Sequence, residues 1–193
     1  ISDLIEQIKN NIDLDSFKYE IIIIDNSSED KTAEIVKSKI IRDKNIKLIV
    51  NNRNFGHLRS PVYGLMQSKG DAAILFSADF QDPPVLIREL IKEWENKKKI
   101  ILLKKRKSQE NLLLFFIRSL FYKFLNKISD IKLSINTTGS GLFDKSFIDS
   151  LKKIHDPYPY FRGLIHEIGG KVSYIEFDQP SRKGGRSKNN FYT

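Results

Sequence analysis

The sequence contains no cysteine among its 193 residues. That removes disulfide staples and thiolate metal centres, and it suits a reducing compartment. It also lacks an apolar run near the ~20 residues that a membrane-crossing helix needs, and its first residues carry no signal-peptide pattern. Histidine is scarce: His57, His155 and His166 lie far apart, without metal-ligand spacing. His57 follows an "NFG" loop, where capping or packing explains it better than ligand contact does. No P-loop and no Ser-His-Asp arrangement is present.

Hydrophobic residues make up 40% and charged residues 30% of the chain, which describes a globular segment able to build a core. The length fits one domain, 1–193, better than two. The formal charge of +9 favours anionic partners such as phosphorylated ligands, nucleic acid or an acidic membrane face. A Lys-, Asn- and Ile-rich composition gives the same number without any partner. The charge concentrates in "KKKIILLKKRK" (97–107) and "SRKGGRSK" (181–188).

Hydrophobic spacing divides the chain into alternating strands and helices. "SDLIEQIKNNI" places Leu4, Ile5, Ile8 and Ile12 on one helical face, with Ser2 or Asp3 as its cap. A domain opening on a helix implies a strand upstream of this sequence. "YEIIIID" (19–25), "IKLIVN" (46–51), "DAAILFSA" (71–78), "KIILLKK" and "KVSYIEFD" read as strands. "DKTAEIVKSKII", "HLRSPVYGLMQSK" with Pro61 in its first turn, "PVLIRELIKEWENK" and "YFRGLIHEIGG" read as helices. "NLLLFFIRSLFYKFLNKIS" reads as a long helix over about 111–129, and "TTGSGLFDKSFIDSLKKI" as a glycine-bearing turn or short strand feeding a helix. The pattern predicts an α/β domain with a mostly parallel sheet.

Ligands of open α/β sheets bind beyond the carboxyl ends of the strands. Two such ends carry acids. "IIIID" presents Asp25, and "LFSAD" presents Asp79, followed by Gln81, Asp82 and two prolines that forbid the strand to continue. Singly, each acid is more often a turn or cap residue. Together they suggest a site for phosphates and a hard cation, since Asp and Gln oxygens suit Mg2+ or Mn2+.

"IIIIDNSSEDKT", "NRNFGHLRSPVYGLMQSKGD", "SADFQDPPVLI" and "RKGGRSK" resemble, in order and spacing, family-2 glycosyltransferases of the GT-A fold. The branch with dolichyl-phosphate mannose synthases and bactoprenol-phosphate glucosyltransferases is the most similar. The resemblance covers about residues 1 to 190. It implies a three-layer α/β/α domain, here apparently without its first strand, and a metal-dependent transfer from a nucleotide-sugar, most simply a UDP-sugar. The acceptor implied is a polyprenyl phosphate or another cell-envelope glycan, with Mg2+ or Mn2+ as cofactor. It implies work at the cytoplasmic face of the cell membrane and no nucleic-acid partner.

Residue by residue, the resemblance assigns Asp25 and Asn26 to the donor's nucleoside and Asn54 and Gly56 to the "N-x-G" loop. Gly70 and Asp71 match the "GD" that opens the metal-binding strand. Asp79 and Gln81 match the cation ligands, and Asp79 would also meet the donor. Arg182, Ser187 and Lys188 match cations and a hydroxyl that steady the donor diphosphate or an acceptor phosphate. Asp82 is the nearest candidate for a catalytic base, and Arg162 in "PYPYFRG" is a further residue that could face the site. Ser77 stands where the family has the first acid of Asp-x-Asp. "GSGL" (139–142) lacks the arginine of the family's "S-F-R-L", and membrane helices expected after "NNFYT" are missing. The apolar helix at 111–129, with Arg118, Lys123 and Lys127, reads equally as core or as a lipid-facing element. The rival reading is a non-catalytic nucleic-acid-binding or interaction module on a degenerate GT-A fold.

Overall fold

The computed structural model describes residues 1–106, 120 and 137–180. Apart from Leu120, the helix expected at 111–129 lies outside the described residues, as does the "RKGGRSK" segment. The described residues hold six helices and six strands, which alternate as far as β4. They are α1 (Ser2–Lys9), β1 (Ile21–Asp25), α2 (Thr32–Arg42), β2 (Ile46–Val50), α3 (Gly56–Met66), β3 (Ala72–Leu75), α4 (Leu86–Glu95) and β4 (Ile100–Lys105), then β5 (Thr137–Asp144), α5 (Lys145–Leu151), α6 (Phe161–Glu167) and β6 (Val172–Phe177).

β1 pairs with β2 in parallel, and a four-stranded sheet runs β3-β5-β4-β6. In that sheet β5 alone points the other way, antiparallel to both β3 and β4, while β4 and β6 are parallel. Most strands therefore share one direction, and the sheet is mixed through β5. β4 explains why the sheet is central. Ile100 and Leu102 face one cluster with Val62, Leu65, Phe143, Phe147 and Leu164, whereas Ile101 and Leu103 face another with Leu90, Leu142 and Ile175. Side chains alternate across a strand, so four consecutive apolar residues bury both faces. α3, α5 and α6 cover one face and α4 the other, which gives three layers. A third cluster, Ile5, Ile21, Val36 and Ile46, seats α1 and α2 on β1 and β2. α3 packs against both β1 and β3. Its Gly64 lets β1 approach closely, since a Cβ there would lie 1.9 Å from Ile24 Cδ1.

Local chemistry shifted several expected boundaries. α1 begins at Ser2 itself, behind Ile1 and with no side-chain cap, so neither Ser2 nor Asp3 caps it. Pro61 is the sixth residue of α3, beyond the first turn, because the helix starts at Gly56. The strand expected over 71–78 ends at Leu75. The stretch read as a turn or short strand is β5, eight residues long. Gly141 pairs with Leu75 on one side and Leu102 on the other. A Cβ on Gly141 would lie 2.1 Å from Ile101 O, so no side chain can occupy that position. α4 is anchored by buried Ile87 and Leu90. Its Trp94 indole N–H donates to Asp144 Oδ2 at 2.9 Å, while Asp144 Oδ1 caps α5 by accepting from Ser146 N at 2.9 Å. Among the described residues no helix is long and apolar enough to cross a membrane.

Candidate active site

The carboxyl end of β1 is organised by Asn26. Its Oδ1 accepts from Asn51 Nδ2 (3.0 Å), Phe55 N (2.9 Å) and Ser60 Oγ (3.2 Å). Its Nδ2 donates to Asn54 Oδ1 at 2.7 Å and towards Gly56 O at 3.4 Å. Asn54 Oδ1 in turn accepts from Gly56 N at 2.8 Å. One amide thus ties the strand end to the "N-F-G" loop and the first turns of α3, and it uses both donor and acceptor capacity. An aspartate at this position has no N–H for Asn54, which gives a physical reason for the amide. Asp25 is buried, and its Oδ1 accepts from Ser28 N at 3.1 Å across a tight turn in which Ser27 has φ 63°. The structure therefore brings Asp25, Asn26, Asn54 and Gly56 together. Asn51 and Ser60 belong to the same network, and sequence reasoning missed both because their roles depend on the fold.

The carboxyl end of β3 is built differently. Asp82 is buried, with Oδ2 accepting from Ser140 Oγ at 2.5 Å and from Ser77 N at 3.3 Å. Its Oδ1 is buried without a hydrogen-bond partner. Burial pushes the Asp82 carboxyl above the ordinary carboxylate range, the Ser140 and Ser77 bonds oppose that shift, and the nearby Asp79 charge adds to it. Between Ser77 and Asp82 the chain makes a tight turn. Phe80 holds φ 61°, unfavourable for a bulky residue, and Asp79 Oδ1 accepts from Gln81 N at 3.1 Å. The turn is a closed loop clasped at its base by Asp82 and carrying the half-buried Asp79 and Gln81. Ser140 comes from β5, the strand hidden by its glycines, and was not anticipated.

Asp79, Gln81 and Asp82 share one loop. Arg182, Ser187 and Lys188 lie outside the described residues. Among the described residues no cluster of three or more His, Asp or Glu side chains forms a metal centre. The donor set on the loop is one carboxylate, Asp79, and one amide, Gln81, since Asp82 is committed to Ser140 and Ser77. Mg2+ commonly takes only one or two protein carboxylates and completes its shell with waters and substrate phosphates. The residues therefore fit a cation that is shared with a diphosphate.

The chain is similar in sequence to known glycosyltransferases. The chain is 29% identical over 191 residues to the "Uncharacterized glycosyltransferase YkcC" of Bacillus subtilis, covering 97% of this chain and 58% of that protein. It is 29% identical over 179 residues to the "Prophage bactoprenol glucosyl transferase homolog" of Escherichia coli, covering 92% and 58%. Staphylococcus aureus TarS, a solved structure, superposes with a TM-score of 0.48 at 14% identity, over 89% of this chain and 32% of that one. The chain thus spans a little over half the length of the curated relatives it matches. Residues 1–152 match the sequence profile described as Glycosyl transferase family 2, and the chain belongs to that family.

Proposed function

We propose that this chain transfers a sugar from a nucleotide-sugar donor, a UDP-sugar, to a polyprenyl phosphate or another cell-envelope glycan acceptor. The cytoplasmic face of the cell membrane is the setting this reading implies. The observation that carries it is the clasped loop at the carboxyl end of β3, which presents Asp79 and Gln81 at the edge where α/β sheets bind ligands. Family membership supports the reaction class, and relatives named for bactoprenol glucosyl transfer support the acceptor class.

In this reading Asp25 and the loop tied together by Asn26, Asn54 and Gly56 receive the nucleoside. A preformed amide network lets that loop bind without first ordering itself. A Mg2+ or Mn2+ ion held by Asp79 and Gln81 would neutralise charge developing on the leaving diphosphate. Arg182, Ser187 and Lys188 are assigned to the same diphosphate or to an acceptor phosphate. A phosphate acceptor is already anionic and needs no strong base, and Asp82 then serves to hold the loop. With a hydroxyl acceptor, Asp82 is the carboxylate assigned to proton removal, and the raised proton affinity of a buried acid suits that part.

The test supplies the protein at its natural length with radiolabelled UDP-sugars and polyprenyl phosphate, followed by organic extraction. Label in the organic phase is the expected result. Label that stays aqueous for every donor, while a soluble glycan hydroxyl is glycosylated, removes the lipid acceptor. No transfer to any acceptor removes the enzyme reading.

A further inference from the structure

We propose that Arg162 is a substrate-binding residue of this site and that its guanidinium contacts a substrate phosphate. The inference rests on the glycosyltransferase reading above and adds a residue to it. Arg162 lies in the first turn of α6, whose backbone is fixed from behind. Phe161 is buried against Phe143, with ring centroids 5.3 Å apart, and Leu164 and Ile165 are buried beside it. The anchored helix directs an exposed guanidinium over the first half of β5. There Arg162 Nη2 donates to Thr138 O at 3.4 Å, and Nε lies 3.7 Å from where a Cβ on Gly139 would stand. Gly139 has φ +86°, a left-handed backbone conformation that favours glycine.

That half of β5 borders the clasped loop. Thr138 Oγ1 accepts from Ser140 N at 3.2 Å, and the Ser140 hydroxyl holds Asp82 at 2.5 Å. Because β5 runs antiparallel to β3 and β4, its first residues lie at their carboxyl ends, the ligand edge of the sheet. Lys104 pairs with Thr137 at the same edge, but its ammonium is taken up by Glu176 at 2.8 Å. Arg162, in contrast, has no carboxylate partner among the described residues. One long bond to a carbonyl leaves most of its five N–H donors unused. An anchored, exposed and unpaired guanidinium beside a carboxylate-bearing loop fits a phosphate, which accepts two parallel N–H bonds from such a group. β5 itself supplies no cation there, and Gly141 has no room for any side chain.

The phosphate is that of the donor or of the acceptor, and the experiment separates them. The natural-length protein, Arg162→Ala and Arg162→Lys are titrated calorimetrically with UDP in the presence of Mn2+, and separately with geranyl phosphate. KM and kcat are measured for a UDP-sugar and a polyprenyl phosphate, with Lys152→Ala as an exposed control. The expected result is a loss of about tenfold or more in affinity for one of the two ligands in Arg162→Ala, the size of one charge-assisted contact. Arg162→Lys should recover part of it, and KM of the matching substrate should rise. Unchanged affinity for both ligands overturns the inference even if sugar transfer proceeds. So does an equal fall in kcat and melting temperature for Ala and Lys with both affinities intact. If the wild type transfers no sugar, the functional reading fails, and the two titrations still decide the inference.

Discussion

The ends of β1 and β3 are both candidate ligand stations, and each has a buried acid and a left-handed residue in its turn, yet they are held in different ways. At β1 a neutral amide, Asn26, satisfies its neighbours on both sides, so the loop from Asn51 to Ser60 is held by a closed set of hydrogen bonds. At β3 the clasp is a buried acid with one oxygen unpartnered, and the loop above it contains a left-handed Phe80. An unpartnered buried oxygen costs about 1–3 kcal/mol, and a bulky residue in that backbone region about 1–3 kcal/mol more. Under the function proposed above, this difference fits a β1 end built for stability and a β3 end that presents Asp79.

The sharpest way to break this comparison is Asp79→Ala. UDP with Mn2+ at ~100 times its dissociation constant should stabilise the natural-length protein by about 2.7 kcal/mol. The substitution should abolish the metal-dependent part while costing the ligand-free protein no more than about 1 kcal/mol, the size of the lost Gln81 N–H bond. Thermal shift with and without metal reads both. A large loss of ligand-free stability would mean that Asp79 is structural and the contrast is false.

Asn26→Ala should do the reverse. It deprives three donors of one acceptor, so denaturant unfolding should show a loss of about 2–3 kcal/mol without any ligand. Asn26→Asp tests the amide itself, because it keeps the acceptor for Asn51, Phe55 and Ser60 and removes the donor to Asn54. Its cost should be smaller, about 1 kcal/mol.

Next comes the acid clasp. The raised folded-state pKa of Asp82 means that the native protein binds this proton more tightly than the unfolded chain does. Stability from this group is therefore present below the ordinary value of 3.8 and is lost as pH rises through the raised value. Asp82→Asn should remove that decline, and at neutral pH it should cost less than about 1 kcal/mol or stabilise slightly. Urea unfolding across pH 4–8 checks the slope. A variant with the wild-type slope would place the titrating group elsewhere.

The smallest effect lies away from both stations. Asp43 accepts from Lys9 Nζ at 2.9 Å and from Tyr19 Oη at 2.7 Å, and these bonds with the Asn45 N–H lower its pKa to about 2. Its contribution is present above pH 3.8 and is lost as pH falls through about 2. Asp43→Asn should remove about 1 kcal/mol or less at pH 7 and clearly less at pH 2, read by thermal unfolding at the two pH values.

The strands that end in Asp25 and Asp79 were legible because buried strands in an α/β sheet are continuous apolar runs, and a carboxylate ending such a run is conspicuous. The helix faces of α1 and α4 were equally plain from their spacing. β5 was not. Gly139 and Gly141 lower the strand propensity of "TTGSGLFD", whereas the fold needs glycine at Gly141 because the neighbouring backbone leaves no room. With β5 read only as a turn or short strand, the Ser140–Asp82 clasp was hidden, since it joins residues far apart in the chain, whereas Arg162 was named as a residue that could face the site but without its contact to β5. Pro61 was misplaced by a few residues because helix starts depend on the loop before them, here one ordered by Asn26.

The exclusion of every side chain at Gly141 also bears on how the sheet finds its alignment. β4 reads apolar at Ile100, Ile101, Leu102 and Leu103, so a slip of one residue would still bury something apolar on each face. Hydrophobicity alone therefore distinguishes poorly between correct and shifted pairings. Steric exclusion does distinguish them: a one-residue slip of β5 would bring Ser140 or Leu142 to the point where only a bare backbone fits beside Ile101 O. Gly141 thus acts as a key for strand alignment during folding, rejecting the neighbouring registers that the degenerate sequence of β4 would accept.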